Sequence, residues 1–518
     1  MIPILSKRAS GVLLPVFSLP CPWGIGDIGP GAISFIDFLA AAGQSYWQIL
    51  PLGPTARIFG NSPYMSPSAM AGNPLFISPE LLVREGLLRK EELADARFSE
   101  YVVDYDRVIP WKQHLLGLAW QRFRTGRDNR EQLAGFVDTQ PWVREHALFL
   151  ALKKKFADQG WFRWPRELRQ RERTALRHAL AELADEVEYG CFEQFLFWRQ
   201  WQQLLDHARS RGIRLIGDLP IYVAMDSVDV WANQEIFQLS PSGLPKAVAG
   251  VPPDYFSRTG QRWGNPLYRW NSRKTGIRDR LFAWWEKRLQ TIFGQVDLVR
   301  IDHFRGFEAY WSIPAREKTA VRGTWVRGPG KTFFRTMEKR LGRLPIIAED
   351  LGIITEKVRR LRDDLGYPGM NILLFAFDGN PDNSYLPHNV EKNSVIYTGT
   401  HDNDTAVGWY LSPNVTPQAR RLAKRYANRF DDEASTFHLD MMYLAHCSPS
   451  RLSILPLQDV LGFGNDCRIN TPGTTSGNWK WRCAQRFLTD EVGTRLREST
   501  QAFGRLGRKT PAKENTTP

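Results

Sequence analysis

Cysteine is scarce in this 518-residue chain: five residues, at positions 21, 191, 447, 467 and 483. Their number is odd and no two have C-x-x-C spacing, so neither a disulfide framework nor a thiolate zinc site is expected, only free and mostly buried thiols. No apolar run approaches the roughly 18 residues that a membrane-spanning helix requires. The opening residues, Met-Ile-Pro-Ile-Leu-Ser-Lys-Arg-Ala-Ser, lack the charged start and apolar centre of a secretion signal. Metal-ligand spacing of the H-E-x-x-H kind is missing as well. Internal repeats are absent. These gaps set the expectation of a cytoplasmic globular protein with no metal, no cofactor and no membrane partner.

Acidic residues are the minority charge. There are 69 basic and 55 acidic residues, a net +14, and such an excess can serve nucleic acid or anionic surfaces. Here it is scattered. One local concentration, 164–177, interleaves Arg with Glu at helical spacing, the mark of a solvated helix face, and another lies in the tail at 505–513. No recognised nucleic-acid module accompanies the charge, so nucleic acid is not an expected partner.

Eight short apolar runs stand out: Gly11–Pro15, Tyr46–Pro51, Ile213–Pro220, Val296–Asp302, Pro345–Glu349, Met370–Phe375, Ser394–Thr398 and Leu452–Leu457. Helical patterns separate most of them, as in the stripe of Ile33, Phe35, Ile36, Phe38 and Leu39. Strand–helix alternation argues for a parallel sheet, and eight strands close an α/β (β/α)8 TIM barrel. About 160 residues part the second run from the third, far more than one helix and its loops need. Within them, 111–124 and 143–156 read as amphipathic helices. The expected organisation is a catalytic barrel over 1–504, interrupted by a mainly helical insertion at 75–205 and an aromatic, loop-rich insertion at 225–275. A disordered basic tail, 505–518, follows.

Gly24-Ile-Gly26-Asp-Ile-Gly29 matches the dinucleotide fingerprint G-x-G-x-x-G, yet residues 16–23 part it from the preceding strand. No Asp or Glu occurs between Asp37 and Glu80 to hold a ribose. A nicotinamide or flavin cofactor is therefore not expected, and the glycines shape a barrel loop instead.

Three carboxylates mark the ends of apolar runs. Asp302 closes Val-Asp-Leu-Val-Arg-Ile-Asp, Glu349 closes Leu-Pro-Ile-Ile-Ala-Glu, and Asp402 follows Ser-Val-Ile-Tyr-Thr-Gly-Thr-His. Residues two apart on a strand share a side, so Arg300 lies beside Asp302 and favours its ionised form, as a nucleophile needs; a structural ion pair is the plainer reading. Of Glu349 and Asp350 only one can face the site. Asp350 then caps the following helix while Glu349 acts as acid/base, with a pKa raised by Asp302 and Asp402. His401-Asp402 could bind sugar hydroxyls, or merely start a helix. Two carboxylates flanking an acetal make a nucleophile and an acid/base, and a third can steady the cationic transition state. Polar and aromatic groups collect at other strand ends: Asp218, Asn61-Ser62-Pro63-Tyr64, and Asn470, Gly473, Asn478 and Trp479. Trp231, Tyr255, Phe256, Trp263, Tyr268 and Trp270 crowd the second insertion. Such aromatics suit the apolar face of a sugar, although with 19 tryptophans most must pack the core.

The motifs together resemble the 4-α-glucanotransferases, a family also called amylomaltase or disproportionating enzyme and related to the α-amylase clan. The resemblance rests on Ser18–Gly29, Tyr46-Trp-Gln-Ile-Leu-Pro-Leu-Gly-Pro54, Gly217-Asp-Leu-Pro-Ile221, Gly250-Val-Pro-Pro-Asp-Tyr-Phe256, Val299-Arg-Ile-Asp-His-Phe-Arg-Gly306, Ala348-Glu-Asp-Leu-Gly352, Thr398-Gly-Thr-His-Asp-Asn-Asp-Thr405 and Asn470-Thr-Pro-Gly-Thr474. It covers roughly residues 10–485 and implies retaining transfer of α-1,4-glucan segments from a maltodextrin donor to a glucan or glucose acceptor. By position, Asp302 resembles the nucleophile, Glu349 the acid/base and Asp402 the transition-state stabiliser. Arg300, His401, Tyr64, Ser62 and Asp218 fall around the donor sugar; Asp254, Tyr255 and Trp263 on a loop over the groove; Asn478 and Trp479 at glucan contacts. Met65 stands where the family pattern implies a glutamine or similar polar residue, Cys21 for a glycine and Ile469 for a methionine; Cys21 raises the prospect of reactivity toward thiol reagents. An α-glucan hydrolase would use the same three acids, and a non-catalytic sugar-binding protein would need only the aromatics.

Overall fold

The computed structural model describes residues 5–94, 97–253 and 257–507. Eight parallel strands make one curved sheet: β1 (Ala9–Leu13), β2 (Tyr46–Gln48), β3 (Arg214–Pro220), β4 (Leu298–Asp302), β5 (Ile346–Ala348), β6 (Gly369–Ile372), β7 (Ser394–Tyr397) and β8 (Leu452–Pro456). Chain order is kept around the sheet, because β1 pairs with β2 on one side and with β8 on the other. At the seam between β5 and β6, the Ala348 N–H donates to the Pro368 carbonyl at 2.9 Å. The result is a nearly closed (β/α)8 barrel, and each of the eight apolar runs overlaps one strand, although the second half of Met370–Phe375 is a 3-10 helix, Leu373–Phe375.

Barrel strands are buried on both faces, which is why they read as unbroken apolar runs rather than alternating ones. Every residue of β1 and β8 is buried. Gly11 is needed for close strand approach: a Cβ there would lie 2.5 Å from the Tyr46 carbonyl oxygen. Trp47, fully buried, ties β2 to the turn after β1 by donating from Nε1 to the Leu14 carbonyl at 2.8 Å. The helix Pro30–Ala41 opens on a proline in its first turn and buries Phe35, Ile36 and Leu39 of the expected stripe.

Between β2 and β3 lies the helical insertion, with helices Tyr105–Phe123, Arg127–Thr139, Trp142–Lys155 and Arg173–Glu182. Its expected end at residue 205 falls inside one continuous helix, Ala184–Ser210. The first half of that helix packs on Trp142–Lys155. Its second half covers the barrel, where the Trp201 indole donates to the Gln295 carbonyl at 2.9 Å. One continuous buried face, apolar except for Gln194 and Gln200, thus serves insertion and barrel together.

The second insertion is not merely loops. Ala247–Val251 and Gln261–Pro266 pair antiparallel, and Ala247–Val251 pairs in turn with Ala309–Pro314 of a hairpin closed by Thr324–Arg327. Segments following β3 and β4 therefore build a single four-stranded sheet beside the barrel mouth. Trp231, Tyr268 and Trp270 pack in the core. Of the expected disordered tail, 508–518 lie outside the described residues, and its first residue is packed. Arg505 is fully buried, and its guanidinium donates to the carbonyls of His446 (2.8 Å), Ala9 (3.1 Å) and Ser448 (3.0 Å). All five cysteines are free thiols; Cys191 and Cys483 are buried, Cys21 and Cys467 half-buried and Cys447 exposed. No described helix is long and apolar enough to cross a membrane.

Two buried histidines tie this packing to pH. Burial holds His146 at about 4. Burial, then the Arg505 and Arg8 charges, holds His446 at about 3. Both are neutral when folded, whereas an unfolded chain protonates them near pH 6.5, so their contribution is complete above that value and is lost as pH falls below it. Each histidine costs about 2 kcal/mol at pH 5 relative to pH 7. The urea midpoint of His146→Leu at pH 5, relative to its own value at pH 7, is therefore expected to exceed that of the unsubstituted protein.

Candidate active site

Asp218 on β3 lies in register with Arg300 on β4, so both side chains point the same way, as does Asp302 two residues on. Arg300 Nη1 donates to both Asp218 oxygens, at 2.8 and 2.7 Å, and its Nη2 lies 3.0 Å from Asp302 Oδ1. Arg300 and Asp218 are sealed from solvent, while the Asp302 side chain keeps 31% of its exposure. One guanidinium therefore braces a buried carboxylate on one side and aims an open one on the other. Burial alone would lower the Arg300 pKa, but Asp218 and then Asp302 hold it well above the usual arginine range.

Glu349 follows β5 and accepts two backbone hydrogen bonds, from His303 N–H to Oε2 at 2.6 Å and from Leu351 N–H to Oε1 at 2.8 Å. His303 is left-handed, with φ of 55°, a turn that directs its N–H at Glu349 immediately after Asp302. Asp350 does not cap the next helix, which starts from Thr355. It bonds instead to Arg362 Nη1 at 2.7 Å and to the Met370 N–H at 2.8 Å, spanning the β5–β6 seam where ladder bonds are few.

The loops after β2 and β7 meet over Asp218. Tyr64 donates to Asp218 Oδ2 at 2.7 Å, and its oxygen lies 2.9 Å from His401 Nε2. The two rings stack at 5.3 Å and 15°. Trp479 packs against both, at 5.8 Å from Tyr64 and 6.0 Å from His401. Asp402 Oδ1 accepts from Asn470 Nδ2 at 2.6 Å and lies 3.4 Å from His401 Nε2, leaving the carboxylate 44% exposed. Burial lowers the His401 pKa, so the ring is neutral near pH 7. Each Glu349 oxygen spends one lone pair on backbone, which leaves room for a proton.

Burial is the first cause that raises both Asp302 and Glu349. For Asp302, Arg300 opposes the rise and Asp218, Glu349 and Asp402 add to it; for Glu349, Arg300 and the two N–H donors oppose it. The elevation of Glu349 thus comes from burial, not mainly from the neighbouring acids that the sequence singled out. Two raised carboxyls in one cleft share a proton, and the full positive charge touching Asp302 favours placing that proton on Glu349.

A model of the 4-alpha-glucanotransferase family of glycoside hydrolases (family 77) matches residues 14–488. The chain belongs to this family. It is 48% identical over 510 residues to the 4-alpha-glucanotransferase of Synechocystis, covering 97% of this chain and 99% of that protein. It is 47% identical to the Thermus thermophilus enzyme of the same name, over 96% and 99% of the two chains. Among solved structures, the amylomaltase of Streptococcus agalactiae in complex with acarbose superposes with a TM-score of 0.92 at 38% identity, over 96% of this chain and all of the other. The activity is that of a 4-α-glucanotransferase on α-1,4-glucans.

In this transferase Asp302, Glu349, Asp402, Arg300, His401, Tyr64, Asp218 and Trp479 share one connected cluster. Ser62 supports it from behind, its Oγ accepting from the Tyr64 N–H at 3.3 Å. Trp263 meets His303 edge-on at 4.9 Å. Asn478 braces its own turn, accepting from Thr471 N–H at 2.9 Å and donating to Thr474 Oγ1 at 3.0 Å. Asp254 and Tyr255 lie outside the described residues. Burial and then Asp27 raise the Cys21 thiol well above its usual range, which argues against reactivity toward thiol reagents. Met65 Sδ accepts from Asn265 Nδ2 at 3.6 Å. Asn470 was legible as a polar group at the right face, but no spacing tied it to Asp402, 68 residues away. The Gln48–Tyr397 bond in the barrel, at 2.8 Å, had no sequence signal. Asn470→Ala is expected to lower kcat roughly tenfold with KM little changed, measured on maltotriose, because it frees the Asp402 carboxylate to turn.

Proposed function

We propose that this enzyme moves α-1,4-glucan segments by double displacement, with Asp302 as nucleophile, Glu349 as acid/base and Asp402 as the group that steadies the cationic transition state. Asp302 attacks the anomeric carbon and forms an ester to it. The glycosidic C–O bond breaks, and Glu349 gives its proton to the departing 4-oxygen. An acceptor 4-hydroxyl then attacks the same anomeric carbon, Glu349 takes the hydroxyl proton, and the bond from that carbon to Asp302 breaks to leave a free carboxylate. The observation that carries the reading is Arg300 held between Asp218 and Asp302: it keeps a nucleophilic carboxylate ionised and aimed at the cleft beside a raised Glu349.

Neutral His401, Tyr64 and Trp479 supply an aromatic wall with polar edges, suited to the donor sugar. The acarbose complex of the Streptococcus agalactiae relative supports an α-glucan as the ligand of this chain. Maltodextrin is the donor and a glucan or glucose the acceptor. Five free cysteines fit a reducing compartment, and we place the enzyme in the cytoplasm.

Maltotriose alone is expected to yield glucose with a ladder of longer maltodextrins. Glucose and maltose with rising reducing ends would instead make it a hydrolase, and unchanged maltotriose would overturn the reading. Asp302→Asn is expected to abolish transfer, and Glu349→Gln to lower kcat by roughly 10²–10⁴. Acid protonates Asp302 and alkali deprotonates Glu349, so the kcat/KM profile is expected to be bell-shaped, with both limbs displaced above the usual carboxylate range.

A further inference from the structure

The hairpin of Ala309–Pro314 and Thr324–Arg327 takes no part in the chemistry described above, yet it presents one unusual side chain. Trp325 is 42% exposed, whereas Trp231 and Trp285 are fully buried. It is nevertheless held firmly. The Arg305 guanidinium covers one face of the indole, 3.9 Å from its centroid, and Trp311 meets it edge-on at 5.2 Å and 64°. An indole with one face sealed by a cation and much of its surface open to water is a preoriented surface, not a packing residue.

Its attachment points are informative. Arg305 is the third residue after Asp302, and its Nη1 donates to the carbonyl of Ile353, the fourth residue after Glu349. The same guanidinium therefore couples Trp325 to both segments that carry the reacting carboxylates. Ile353 adds a second apolar side chain, 53% exposed. Glu349 serves the oxygen shared with the leaving or incoming glucan, so a surface anchored to the loop that follows it lies toward the acceptor half of the cleft. A pyranose ring offers an apolar C–H face of the kind that stacks on indole.

We propose that Trp325, with Ile353, is a stacking platform for the acceptor α-1,4-glucan, beyond the sugar whose 4-hydroxyl receives the transferred segment. The inference rests on the transferase reading of the site. It makes Trp325 a determinant of acceptor length: glucose is too short to reach the platform, and a hexasaccharide reaches it.

The test compares initial rates of elongation of radiolabelled glucose and radiolabelled maltohexaose at a fixed concentration of unlabelled maltoheptaose donor. In Trp325→Ala the ratio of the two acceptor KM values, maltohexaose over glucose, is expected to rise roughly tenfold, the size of losing one aromatic anchor. Trp325→Phe is expected to restore most of it. Ile353→Ser, at an exposed position that carries no core packing, is expected to shift the ratio the same way and so keeps the test open should Trp325→Ala not fold. A wild-type ratio in Trp325→Ala, in Ile353→Ser, or an equal rise for both acceptors would overturn the platform while leaving the transferase intact. Failure of the wild-type enzyme to elongate either acceptor would overturn the transferase reading itself.

Discussion

A single buried cation organises the mouth of this barrel. Asp218, Asp302, Glu349 and Asp402 gather in one cleft, and without Arg300 their mutual repulsion and desolvation would force protons onto several of them. The guanidinium suits the task because its planar fork meets Asp218 through both oxygens and still has a second nitrogen for Asp302. Breaking a buried pair of this kind by removing one partner costs roughly 3–5 kcal/mol, most of it from the charge left behind. Asp218 in turn holds Tyr64, and Tyr64 meets His401, so one hydrogen-bonded chain runs from β4 through β3 to the loops after β2 and β7. Positions on four strand ends are set by that chain.

The insertions decide what surrounds this centre. Their strands come from segments that follow β3 and β4, and they close into one sheet because neither hairpin alone would bury enough apolar surface. Placed there, the sheet carries Trp263 toward His303 and Trp325 onto Arg305, whose own backbone continues from the nucleophile strand. The helical insertion is braced differently, through the long helix Ala184–Ser210 that it shares with the barrel. A structural element with one foot in each region transmits the rigidity of the barrel outward.

The barrel was readable because both faces of each strand are buried, leaving β-branched runs with carboxylates at their ends. Gln-Arg-Trp-Gly-Asn-Pro, by contrast, carries glycine and proline and reads as loop; it becomes a strand only by pairing with Ala247–Val251. The shared helix hid its domain boundary because its buried face runs on from insertion to barrel within one helix. Asp350 looked like a helix cap because Asp is favoured there, but the open seam between β5 and β6 offered it a backbone N–H and Arg362 instead. Left-handed His303 and Trp479 were invisible for a plainer reason: nothing about a histidine or a tryptophan announces a positive φ.

By itself, the sequence determined the eight-strand barrel, the three carboxylates at its strand ends, the Arg300–Asp302 pairing and the family. The first three are written in local pattern, where residues two apart share a side and strands buried on both faces read as apolar runs; the family is written in longer motifs. Tertiary structure alone decided which groups touch across 46 residues, as His303 does Glu349, or across 337, as Tyr64 does His401. It also decided that burial, more than neighbouring charge, lifts Glu349, and that a hairpin tryptophan lies open above an arginine. Those outcomes depend on register, closure and depth, which arise only when distant segments meet in space.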